Sequence, residues 1–236
     1  MTIQLHDLQL HDLAGQDDDC RFSPHCWRVR MALAHKGLEV ETLPWRFTEK
    51  DAIADSGQGQ VPVLRDGDRV VHESWQIAEY LDEAYPERPR LFESPQARAH
   101  AQMIRHWAQR SLHPAVVQVI MPELFAALHE KDKGYFRESR EARFGTTLEA
   151  FAGDREEKLA NLGKALAPLR DTVKLQPYLG GTAPSFADCI VFGAFQWARA
   201  VCPTALVAED DPVYAWRGRL LEAYDGLAAK AQGFPV

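Results

Sequence analysis

A small hydroxyl residue stands directly ahead of a proline in the segment Arg21-Phe22-Ser23-Pro24-His25-Cys26-Trp27-Arg28-Val29-Arg30. Pro24 suits the first position of a helix, because the N–H it lacks would have had no intrahelical partner. Ser23 then falls at the N-cap, where a side-chain oxygen meets free backbone N–H groups. The positive end of a helix favours negative charge, and a hydroxyl donating at that point can hold a thiolate. Taken by itself the segment reads first as an ordinary helix cap. Three further features add to it.

Val61-Pro62 places a proline inside an apolar run, where it cannot donate to a strand ladder. The local sequence favours a trans proline at the strand's first position. The other resolution is a cis bond, which would turn the N–H and C=O of Val61 outward to pair with an extended ligand. Glu73-Ser74 follows a strand and opens a helix, so Ser74 and the nearby N–H groups can bind a carboxylate. Glu73 can accept from an ammonium, and the pair together suits an α-amino acid head group. Alone, it too reads as a cap with an acid at the helix start. Ser185-Phe186-Ala187-Asp188 has the spacing of a reciprocal capping box, with Asp in the place of Glu or Gln. It precedes an apolar helix from Cys189 to Trp197, and we read it as structural.

The elements that must position these residues follow from pattern. Ile3 to Leu8 reads as a first strand, and residues 11–20 as a polar loop longer than the usual two to six residues. That loop is either a solvated insertion or a functional segment. Pro24 to Lys36 reads as a helix with Cys26, Val29 and Leu33 on one face and Gly37 as its stop. Glu39 to Leu43 alternates like a strand, and Glu49 to Ala54 forms a short helical patch. Val61 to Leu64 and Arg69 to His72 flank the turn signal Asp66-Gly67. A helix opens at Glu73-Ser74 and runs through Leu81. This order gives a small α/β layer with a mixed sheet. Pro86 and Pro89 mark a linker, and the rest is helical in period. The expected domains are residues 1–88 and 96–236.

Composition narrows the classes. A net charge of −7 without a basic block argues against nucleic-acid binding. No run approaches the roughly 18 apolar residues of a membrane span. The start Met1-Thr2-Ile3-Gln4-Leu5-His6 lacks the basic and apolar regions of a signal peptide, which predicts a cytoplasmic protein. Cys20, Cys26, Cys189 and Cys202 form no CxxC pair and share no ligand spacing with a histidine pair. Reduced thiols and no metal are expected.

Ser23 before Pro24, Gln60-Val61-Pro62, Glu73-Ser74 and Ser185-x-x-Asp188 together resemble, in order and spacing, a cytosolic glutathione transferase. The similarity covers essentially the whole chain. It implies a thioredoxin-like N-terminal domain that binds glutathione as co-substrate, an all-helical C-terminal domain with an apolar substrate site, and a homodimer. By the same resemblance Ser23 is the catalytic residue, Val61 pairs with the cysteinyl backbone, Glu73 and Ser74 hold the γ-glutamyl end, and Gln60 lies beside them. Arg46 or Lys50 would meet the glycyl carboxylate. Trp107, Met121 and Phe125 are candidates for the substrate pocket, although each alone reads as helix core. The run Arg137 to Arg143 mixes both signs of charge and reads as a solvated helix face.

The loop before Ser23, Arg21-Phe22-Ser23-Pro24, the run Met31 to Gly37 and Arg143-Phe144-Gly145-Thr146-Thr147-Leu148-Glu149 resemble the etherase-type branch. That branch includes bacterial β-etherases acting on lignin-derived aryl ethers and related fungal transferases. One departure matters. Redox relatives of the fold carry a cysteine where Ser23 stands, and a serine cannot form a mixed disulfide. Thiol-transfer chemistry through Ser23 is therefore excluded. Cys26 is expected to face the core, and His25 to point away from the reacting sulfur. The competing reading is a non-catalytic carrier of aromatic ligands or glutathione conjugates.

Overall fold

The computed structural model describes residues 8–235 of the 236-residue chain. Its first half is a four-stranded sheet in the order β2-β1-β3-β4. The strands are β1 (Leu8–Leu13), β2 (Glu41–Trp45), β3 (Val63–Asp66) and β4 (Arg69–His72). β1 runs parallel to β2 and antiparallel to β3, and β3 runs antiparallel to β4. Leu10 faces Thr42 on one side and Leu64 on the other, and Leu64 faces Val71. Helix α1 (Pro24–His35) follows β1, and α2 (Ser74–Ala84) follows β4. Lys36 caps α1 and Gly37 leaves it at φ 64°, the left-handed conformation that glycine adopts without a Cβ penalty.

The strand expected at Ile3 to Leu8 is corrected in part. Residues 1–7 lie outside the described residues, and the strand begins at Leu8. The first three residues assigned to the polar loop, His11 to Leu13, belong to it. His11 and Asp12 broke the apolar pattern, yet both are buried. Asp12 is held between Arg21 at 3.6 Å and Arg30 at 3.5 Å. β2 likewise lies two residues beyond its expected place. It contains Pro44, tolerated because β2 is an edge strand. In the remaining loop Gln16 to Asp19 are exposed, and the loop is tied to the fold: Gln16 N donates to Ala127 O at 2.8 Å, and Arg46 holds the Gly15 and Gln16 carbonyls.

From Pro95 onward the named elements are helical: α3 (Pro95–Trp107), a π-turn (Ala108–Leu112), α4 (His113–Ala126), α5 (Glu130–Phe144), α6 (Leu148–Ala152), α7 (Arg155–Ala165), α8 (Ala167–Leu175), α9 (Phe186–Val201) and α10 (Pro212–Gly226). This is the expected architecture, a thioredoxin-like layer followed by a helical domain. The buried α9 carries Ile190, Val191, Phe192 and Phe195 and packs along α1. The capping box at its start is present. Asp188 accepts from Ser185 N at 2.9 Å, from Leu179 N at 2.7 Å and from the Trp216 indole at 2.9 Å. The charged run on α5 is not wholly a solvated face, since the Arg140 guanidinium lies 4.9 Å from the Phe136 ring and 5.5 Å from Phe47. Among the described residues no helix is long and apolar enough to cross a membrane. Its four cysteines are all free and buried.

Candidate active site

Ser23 caps α1 as its position before Pro24 requires. Its Oγ accepts the backbone N–H of Cys26 at 3.2 Å. A hydroxyl has one proton to give and two lone pairs, so the Ser23 O–H is still able to donate. Burial leaves Ser23 only 4% exposed, which limits access to a group lying at the helix end itself. The seating of this end depends on α9. A Cβ on Gly193 would stand 2.3 Å from Pro24 O, so only glycine lets the two helices approach this closely.

Cys26 faces the core with no exposure. Burial, and after it the nearby Asp12, pushes its thiol well above the usual range. A thiol held protonated in this way is a poor nucleophile, in keeping with the structural role expected of it.

The Val61-Pro62 peptide is cis, against the trans proline that the local sequence favoured. Val61 itself lies outside the β1–β3 ladder, which reaches only to Val63 opposite His11. Gln60 is exposed, and its carbonyl accepts from Gln58 Nε2 at 2.5 Å.

Glu73 departs from a simple cap. It sits at the N-cap of α2 with φ 65° and ψ 119°, and its side chain makes no capping bond. That backbone region is costly for a residue with a side chain, and such outliers collect where a ligand must be met. Ser74 follows as the first residue of α2, 4% exposed. Its hydroxyl accepts from Nη1 of Arg28 at 3.4 Å. Ser23 and Ser74 thus open neighbouring helices, and Arg28 on α1 joins the two.

Of the two cations left open for the glycyl carboxylate, Arg46 is already committed. It donates to Gly15 O at 3.0 Å and pairs with Asp18 at 2.5 Å. Lys50 lies 4.9 Å from the Trp45 ring and 5.3 Å from Tyr135, and donates to the carbonyl of Gly59, beside Gln60. Burial lowers its ammonium from the ordinary range.

The pocket candidates lie at different depths. Met121 is core, 1% exposed. Phe125 packs on Phe136 at 6.3 Å under the Arg137 guanidinium. Trp107 is half-buried against the core. His25, two residues after Ser23, instead meets His113 of α4 edge-on at 5.4 Å, and His113 meets Trp197 of α9 at 6.1 Å. Burial and the charge of Arg28 push His113 down to about 3 and His25 down as well, so both imidazoles are neutral at ordinary pH. Two grooves of about 330 and 400 Å³ flank the loop after β1, the first against Cys20, Ala127 and Phe234, the second against Arg21, Arg30 and Lys230. Neither is lined by Ser23, Glu73 or Ser74.

Two residues that shape this region were not singled out from the sequence. Asp132 of α5 is fully buried and accepts from the backbone N–H groups of Phe47 and Thr48 at 2.9 and 3.0 Å and from Thr48 Oγ1 at 2.7 Å. It ties the segment leading to Lys50 to the helical domain. Arg28 is the other. A basic residue on an apolar helix was the one visible hint, but its partner lies 46 positions away.

The family model for the glutathione S-transferase C-terminal domain matches residues 99–224, and that for the N-terminal domain matches residues 19–89. The chain is 45% identical to glutathione S-transferase Z1 of Arabidopsis thaliana over 69 residues, 27% of this chain and 31% of that protein. The match therefore spans about a third of that relative's length. It is 26% identical to glutathione S-transferase omega-1 of Mus musculus over 204 residues, 83% of this chain and 72% of that one. A glutathione S-transferase of Ceriporiopsis subvermispora, solved in complex with glutathione, superposes with a TM-score of 0.81 at 21% identity. That superposition covers 93% of this chain and 96% of the other, and it bears on the fold.

Proposed function

The chain belongs to the glutathione S-transferase family, and from that premise we propose that it activates glutathione at Ser23 and transfers it to an aromatic electrophile. The observation that carries this reading is the Ser23 hydroxyl at the start of α1, which accepts from Cys26 N and, as a hydroxyl, keeps a proton that it can turn to a thiolate. In this reading the cysteinyl backbone of glutathione pairs with Val61 and the γ-glutamyl end lies at Glu73 and Ser74, with Gln60 alongside. Lys50 meets the glycyl carboxylate, because Arg46 is spent on the loop after β1. The glutathione-binding unit is residues 1–88 and the substrate-binding unit residues 96–236.

The energetics suffice without a formal base. A free thiol titrates near pH 8.5, and lowering that by about two units takes roughly 2.7 kcal/mol. One hydrogen bond to a charged group supplies about 1.5–3 kcal/mol, and a helix N-terminus adds about 0.3–1 kcal/mol. The thiolate then attacks the electrophilic carbon. A C–S bond forms, and in a β-aryl ether the C–O bond breaks, its electron pair leaving on the phenolate. The neutral His25 and His113 rings lie on the α4 side of this end of α1.

Ether cleavage is the finer form of the proposal, resting on the resemblance of Arg21 to Pro24 and Arg143 to Glu149 to the etherase-type branch. Its test is to mix the protein with a β-aryl ether that releases a fluorescent phenol, with and without glutathione. Catalytic, glutathione-dependent release is the expected result. Binding of glutathione with no release would contradict ether cleavage and leave a transferase for another electrophile or a carrier.

A further inference from the structure

Two guanidinium groups share the fully buried Asp12. Arg21 stands 3.6 Å and Arg30 3.5 Å from the same carboxylate oxygen, Oδ2. One negative charge therefore meets two positive ones, and a buried charge without full compensation is costly. Both cations are held in place by further contacts. Arg21 donates to the carbonyls of Asp18 and Thr42, and Arg30 lies over the Trp27 ring at 4.1 Å. Arg21 is 8% exposed, and its Nη1 has no hydrogen-bond partner among the described residues. Burial lowers the Arg30 guanidinium from its ordinary range, a shift that a second anion beside it would oppose.

Both arginines line the groove of about 400 Å³ beside the loop after β1. A third cation lines it, Lys230 of the segment after α10, which is exposed and forms no ion pair among the described residues. Asp19 is the one carboxylate in the lining, and Thr42 and Gln232 add polar side chains. Counting Asp12 as well, three cations face two carboxylates in a chain whose net charge is −7. The groove thus runs against the charge of the whole molecule. None of Ser23, Gln60, Val61, Glu73, Ser74 or Lys50 lines it.

The chemistry of the lining selects among anions. A guanidinium fork matches two oxygens of a phosphate at once, and an ammonium meets a third as a point charge. Cations already fixed by other contacts lose little freedom on binding. The volume falls in the range of small-molecule sites. We propose that this groove is a binding site for the phosphate group of a small monoester, separate from the glutathione site. Arg21 and Arg30 supply the fixed donors, and Lys230 closes on the ligand from the C-terminal segment.

Inorganic phosphate is the minimal probe. The parent is titrated with it at constant ionic strength, and the backbone and arginine Nε–H signals are followed by nuclear magnetic resonance. Saturable binding of one phosphate should shift the Arg21 and Arg30 side-chain signals, and saturating glutathione should leave the constant unchanged. Lys230→Met should weaken binding about tenfold, the loss of one charge-assisted bond. Asp19→Asn removes the facing carboxylate and should tighten binding severalfold. Lys174→Met changes an exposed lysine of α8 by the same charge and should leave the constant as it was. Lys230, Asp19 and Lys174 are all exposed, so these variants should fold. Titration without saturation, or saturation that leaves both arginine signals unmoved, would overturn the site. Equal losses in Lys230→Met and Lys174→Met would reduce the effect to net charge and overturn it too. Displacement of phosphate by glutathione would place the anion in the glutathione site instead.

Discussion

Ser23 Oγ and the backbone N–H of Cys26 stand 3.2 Å apart, the serine accepting at the first turn of α1. That bond separates the two residues by function. The cap uses a lone pair of the serine and leaves its hydroxyl able to donate, while the helix it starts carries the cysteine thiol into the core, where it is fully buried.

Cys26 should accordingly be inert. The protein has four cysteines, all free and buried. An aromatic disulfide reagent should titrate essentially none of them in the native protein within minutes and all four after denaturation. One thiol reacting rapidly in the native state, and mapped to Cys26, would show that the site has redox chemistry after all.

Lys50 and Arg46 should separate by assay. Losing one charge-assisted bond to a ligand carboxylate corresponds to about a ten- to hundredfold loss of affinity. Lys50→Met should raise the KM for glutathione on that scale with little change in melting temperature. Arg46→Met should instead lower the melting temperature, because Arg46 holds the Gly15 and Gln16 carbonyls and Asp18. The reverse pattern would move the carboxylate contact to Arg46.

Acid should weaken the fold through His113. Burial, and after it Arg28, lowers its pKa from 6.5 to about 3, so the unfolded chain binds the proton more readily. Stability is then lost as pH falls from about 6.5 toward about 3, with a slope of up to about 1.4 kcal/mol per pH unit from this group. His25 is shifted in the same direction. Denaturant titrations of the parent and His113→Phe across that window should show a shallower acid slope in the variant. Parallel slopes would contradict the assignment.

How much was legible in sequence depended on how local the cause was. Ser23-Pro24 and Ser185-x-x-Asp188 were readable because a cap is decided within four residues, and both caps are present. β1 was misplaced because Asp12 interrupts its apolar pattern, and the arginines that make its burial tolerable, Arg21 and Arg30, lie beyond the strand. The cis Val61-Pro62 bond and the positive φ of Glu73 were likewise not decided by the local sequence. Asp132 could not be singled out among the acids of a charged helix, since the N–H groups it holds are 84 and 85 positions away. Of the pocket candidates, Met121 proved to be core for the same reason, as helical period alone does not say which faces stay open.

The central claim is that the Ser23 hydroxyl holds a glutathione thiolate, and the direct measurement is the pKa of the bound thiol. Ultraviolet thiolate absorbance should be followed against pH with glutathione saturating the parent and then Ser23→Ala. The account predicts a bound thiol titrating about two units below the free value near 8.5 in the parent, and returning most of the way in the variant. Equal bound pKa values in the two proteins, with glutathione bound to both, would contradict it.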